Sequence, residues 1–84
     1  MDKELTELEM LITEWFNGVE IFTKSDLIRK AADLYDNHNN KLPQSLKDVF
    51  SRCSDYIKGN QSADADEYIL VEELSGYLGE YFAD

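Results

Sequence analysis

Apolar residues recur at steps of three and four along most of the chain, and that spacing admits little besides helices. Leu5, Leu8, Leu11, Ile12, Trp15 and Phe16 make the first stripe, one face of a 3.6-residue period. Asn17-Gly18 ends it, because glycine enters the left-handed conformation without a steric penalty. The next start is marked by Thr23, whose hydroxyl can cap free amides, with Asp26 three residues on as the capping-box acid and Phe22 placed to staple against Leu27. Leu27, Ile28, Ala31, Leu34 and Tyr35 form the second stripe, and Asp36-Asn37-His38-Asn39-Asn40 reads as a polar break. Pro43 suits the first turn of a third helix. Its stripe is Leu46, Val49, Phe50, Cys53, Tyr56 and Ile57, closed by Gly59. Residues 60–66 read as a polar loop, and Tyr68-Ile69-Leu70 as a short extended lead into a fourth helix. That helix buries Leu74, Leu78, Tyr81 and Phe82, with Gly76 and Gly79 each weakening it by about 1 kcal/mol relative to alanine. No segment alternates like a half-buried strand. The expected fold is all-α, a compact antiparallel four-helix bundle in which residues 1–84 form one helical domain.

Size and cysteine content bound the chain further. A domain of 84 residues buries roughly 60–65% of its unfolded surface, enough for one core without staples. An apolar content of 43% with 12% aromatics belongs to a folded protein rather than a disordered acidic tail. With Cys53 alone no intrachain disulfide can form. The start Met1-Asp2-Lys3-Glu4 lacks the basic and apolar parts of a signal peptide. The longest apolar run, Tyr68 to Val71, is far too short to span a bilayer. A soluble cytoplasmic protein without membrane association is the expectation.

Catalytic and metal signatures are missing from the sequence. His38 is the sole histidine, and in an asparagine-rich turn it reads as a solvated loop residue. Cys53 falls on an apolar stripe and reads as buried and inert, since a reactive thiol needs an open, electropositive setting. Calcium loops starting at Asp64 or Asp36 would need glycine at the sixth position and glutamate at the twelfth. Those positions hold Ile69 and Ser75 in one case, Lys41 and Lys47 in the other. An acyl-carrier serine would stand in Asp-Ser-Leu order, whereas the chain has Ser25-Asp26-Leu27. No enzyme activity, cofactor or metal is expected.

Charge points elsewhere. The total of −10 sits at the two ends. Residues 1–20 hold six acids against Lys3, a balance of −5. Residues 21–58 hold five acids against seven bases, a balance of +2, and residues 59–84 hold seven acids with no base. Such self-repulsion opposes compactness, and its natural use is to attract a basic surface. Direct nucleic-acid binding is disfavoured, because releasing a polyanion's counterions needs clustered Lys and Arg. The stretch from Asp55 to Glu73 concentrates the acids: Asp55, then Asp64, Asp66 and Glu67, then Glu72 and Glu73 at the expected start of the fourth helix. Tyr56 and Tyr68 flank them as candidate interface anchors.

Leu11-Ile12, Trp15-Phe16, Ile21-Phe22-Thr23 and Leu34-Tyr35, followed by Leu46, Phe50, Asp55-Tyr56, the stretch Ala63-Asp64-Ala65-Asp66, Tyr68-Ile69, Leu74 and Leu78, resemble a known family. It is the small immunity proteins against colicin D and related tRNA-cleaving bacteriocins. The resemblance implies an antiparallel four-helix bundle that occludes the basic active-site cleft of a cognate nuclease toxin domain; a monomer when free is a separate expectation, and the sequence leaves the oligomeric state open. Its carboxylates would lie where tRNA phosphates would lie. By resemblance Asp55, Asp64 and Asp66 fall in the matching acidic segment, and Glu67, Glu72 and Glu73 extend it on local charge. Asn60, Gln61 and Ser62, with the two glycines of the last helix, depart from the family's pattern. Two other partner classes share these features: a DNA mimic that blocks a DNA-binding protein, and an adaptor that receives a partner helix in an apolar groove.

Overall fold

The computed structural model describes residues 2–19, 21–59 and 67–83. Four α-helices carry the chain: α1 Asp2–Phe16, α2 Lys24–His38, α3 Gln44–Ile57 and α4 Glu67–Phe82, with a 3₁₀ turn at Asn39–Lys41 before α3. No strand occurs among the described residues, and the protein is an all-α four-helix bundle.

Local chemistry accounts for the helix ends. Gly18 adopts φ +92° and closes α1 with paired reverse hydrogen bonds. Its N–H donates to Trp15 O at 3.1 Å, and the Val19 N–H donates to Glu14 O at 3.0 Å. These satisfy carbonyls that the helix leaves free. At the start of α2 the capping box forms as expected: the Asp26 N–H donates to the Thr23 hydroxyl at 3.1 Å, and the Thr23 N–H donates to the Asp26 carboxylate at 2.9 Å. Pro43 is the N-cap residue of α3, with ψ 143°, so it precedes the first turn rather than entering it. Gly59, at φ +77°, ends α3.

Two boundaries differ from the periodic reading. The polar run after Tyr35 does not break α2, which continues through Asp36 and Asn37 to His38. Tertiary contacts outweigh the turn preference there, because Asp36 accepts hydrogen bonds from Ser54 at 2.8 Å and Lys58 at 3.2 Å. Tyr68-Ile69-Leu70 are not extended; α4 is helical from Glu67, so Glu72 and Glu73 lie in its second turn.

Fifteen buried residues form one core cluster, with Leu5, Leu8, Ile12, Leu27, Ile28, Leu46, Phe50, Leu74 and Leu78 among its largest side chains. Ala32 is buried as well, and neither it nor Leu42 of the cluster belongs to the stripes that the sequence displays. α1 and α4 run antiparallel: Tyr81, near the end of α4, donates its hydroxyl proton to Asp2 at 3.1 Å. At the other end of the pair Tyr68 meets Trp15 and Phe16. The radius of gyration of 11.9 Å matches the roughly 12 Å expected of a compact domain this size.

Candidate partner-binding face

Asp55, in the last turn of α3, is exposed, and its carboxylate makes no ion pair or hydrogen bond with a described residue. Tyr56 beside it is half-buried and packs against the core, since adjacent helical residues point about 100° apart. Asp64 and Asp66 lie outside the described residues. Glu67 is the first residue of α4, where free amides favour a carboxylate. Glu72 is exposed one turn further along.

Glu73 behaves differently from its neighbour. Its carboxylate grips Arg52 of α3 in a fork, one guanidinium nitrogen lying 3.0 Å from Oε1 and the other against Oε2. Arg52 also reaches Asp48, one turn earlier, at 3.3 Å. Two parallel charge-assisted bonds hold the planar guanidinium in place, and the Glu73 hydrogen bond raises the Arg52 pKa above its ordinary value. The charge of Glu73 is thus met inside the protein, and its visible work is to tie α4 to α3.

Charge along α4 is one-sided. It bears Glu67, Glu72, Glu73 and Glu80 and no base. Of these, only Glu73 has an ion pair with a described residue.

The structure also brings together residues that the acid pattern does not single out. Phe16 and Trp15 were expected on the buried stripe, yet Phe16 is 42% exposed and Trp15 is half-buried. Both rings meet Tyr68, itself 45% exposed. Ring centroids lie 5.0 Å apart for Trp15–Phe16, 6.2 Å for Trp15–Tyr68 and 6.4 Å for Phe16–Tyr68. The Lys24 ammonium stands 5.6 Å from the centre of the Trp15 ring. The only sequence hint was width: six apolar positions in α1 make a stripe broader than one helix needs to bury.

Elsewhere, a shallow groove of about 220 Å³ runs between α1 and α2, with Leu8, Leu11 and Leu34 beside Glu4, Glu7, Lys30 and Asp33. Cys53 is fully buried, and burial pushes its thiol pKa up to about 12. His38 ends α2, half-buried, instead of sitting in a loop. No helix among the described residues is long and apolar enough to cross a membrane. No family model, curated protein or solved structure matches the chain.

Proposed function

We propose that this is an immunity protein that binds and inhibits an antibacterial nuclease toxin, a tRNase by its resemblance to the colicin D immunity family. The observation that carries the reading is α4, a helix with four carboxylates, no base, and only Glu73 matched by a described cation. Exposed Asp55 at the end of α3 adds a further carboxylate, and the sequence of residues 59–84 holds seven acids, the four of α4 among them, and no base. A basic substrate cleft is the complementary surface. Fixed carboxylates take the place of substrate phosphates, and opposite charge accelerates capture, up to roughly 10⁸–10⁹ M⁻¹s⁻¹ at low salt. Inhibition needs no chemistry from the inhibitor, only occlusion.

The test is a search for a nuclease toxin domain encoded beside the gene and co-expression with it, read as growth rescue together with binding of the purified pair across ionic strength; a neighbourhood without such a domain counts against the reading. Rescue with tight binding that weakens steeply with salt is the expected result. Absence of both rescue and binding overturns the reading. Rescue with binding indifferent to salt would assign the interaction to an apolar groove, because screened charges cannot produce that profile.

Combined Asp64→Asn and Asp66→Asn is expected to weaken toxin binding at least tenfold, about 1.4 kcal/mol, with the helical circular dichroism unchanged. Combined Asp55→Asn and Glu72→Gln is expected to do the same, whereas Glu73→Gln acts mainly on stability. Wild-type affinity in both folded double variants would remove these acids from the interface.

A further inference from the structure

Trp15, Phe16 and Tyr68 form a cluster of three touching rings at the end of the bundle where α1 stops and α4 starts. Two of the rings leave more than 40% of their residue surface in water. Phe16 and Tyr68 are separated by most of the chain, so only the tertiary fold assembles this patch. One ring already has a cation on it: Lys24 stands 5.6 Å from the Trp15 centroid, within the range where the negative ring face attracts an ammonium or guanidinium.

We propose that the exposed faces of Phe16 and Tyr68 receive an arginine side chain of a basic protein partner. The proposal deepens the functional reading above and rests on it for the partner's identity. Three observations select this occupant. Lys24 on Trp15 shows the cluster binding a cation within its own chain. A net charge of −10 makes a second copy of the chain a poor occupant, because like charges brought together repel, and makes a basic surface a good one. A flat, weakly hydrated guanidinium stacks on aromatic faces where a compact, strongly hydrated ammonium does so less well. Aromatic residues and arginine are also the side chains that dominate interface energetics. The acids of α3 and α4 would steer the partner in, and the rings would hold it once water is excluded.

The chain has one tryptophan, so a single indole N–H resonance reports on the patch. The isotope-labelled protein is titrated to millimolar concentration with a ten-residue peptide of alternating Arg and Gly, with Lys/Gly and Glu/Gly peptides as comparisons. The Trp15 indole signal and the ring signals of Phe16 and Tyr68 are expected to shift most with the Arg peptide, less with the Lys peptide and not with the Glu peptide. The combined Phe16→Leu and Tyr68→Leu variant keeps apolar bulk and should keep the helical fold, yet should lose the indole shift. Ring signals unmoved by the Arg peptide, or an indole shift undiminished in the folded variant, would overturn the proposal. A second arm uses the nuclease domain: the same variant should weaken its binding at least tenfold even at 0.5 M salt, and unchanged affinity would also overturn the patch. If the nuclease domain fails to bind the wild-type protein, the functional reading falls, while the peptide titration still decides the patch.

Discussion

Asp36 couples the ends of α2 and α3 through one carboxylate oxygen, which accepts from the buried Ser54 hydroxyl at 2.8 Å and from Lys58 at 3.2 Å. The Ser54 hydrogen bond, then Lys58, holds its pKa below the usual 3.8. A carboxyl with a depressed folded-state pKa stabilises the fold above its unfolded pKa and loses that contribution as pH falls through the folded value. Asp36→Ala is therefore expected to be less stable than wild type at pH 7, with the gap narrowing as pH falls through the lowered folded-state pKa of Asp36; denaturant melts at pH 7 and through the acid range check it. Cys53 makes a complementary case. Fully buried, with its thiol pushed up to about 12, it should resist a thiol reagent in the native protein and react only on unfolding. Labelling at the rate of an exposed thiol would show that α3 opens locally. Cys53 on its stripe and the Thr23–Asp26 capping box were legible residue by residue, because both depend on neighbours within one or two helical turns. The roles of Asp36 and Glu73 were not, because their partners lie 18 and 21 residues away.

Helix ends and glycines decide the energetics of the elements. Gly18 at φ +92° occupies a conformation that costs an L-residue about 1–2 kcal/mol, so Gly18→Ala should destabilise the protein. Gly76 and Gly79 are the opposite case: both sit inside α4 with no atom of another described element within 4 Å of an added Cβ. Gly76→Ala and Gly79→Ala should each stabilise by about 0.5–1 kcal/mol by restricting the unfolded chain and favouring the helix. In a domain this size each kcal/mol moves the melting temperature by roughly 4–8 °C; a fall in Tm for either α4 variant would show that the open space at that glycine is used. The empty space also excludes close helix packing as the reason for those glycines. α4 itself shows where periodicity misleads. Its apolar residues lie almost all round it, as Tyr68, Ile69 and Tyr77 remain exposed while Leu70, Val71, Leu74 and Leu78 are buried. A sequence without one clear apolar face gives no sharp start for the helix, and Tyr68-Ile69-Leu70 then reads as extended.

For the whole molecule, unbalanced charge is the dominant long-range force. A net −10 on a body of 11.9 Å radius of gyration pushes its carboxylates apart, and salt screens that repulsion over about 10 Å at 0.1 M. The melting temperature is therefore expected to rise as sodium chloride increases from about 10 to 300 mM. A falling Tm would mean that the Arg52–Glu73 and Lys58–Asp36 pairs outweigh the repulsion. The same screening should weaken a basic partner's binding, so stability and affinity should move in opposite directions with salt. The number of helices, the bundle class, most of the core and the uneven charge were determined by the sequence alone, because each follows from composition and from spacing within one helical turn. Only the tertiary structure decided that Glu73 is spent on Arg52 while Glu72 stays in water, that α2 outlasts its polar run, and that Trp15 and Phe16 meet Tyr68 in an exposed cluster. Those outcomes depend on how helices distant in the chain cross, and side-chain periodicity within one helix carries no record of which neighbour it will face.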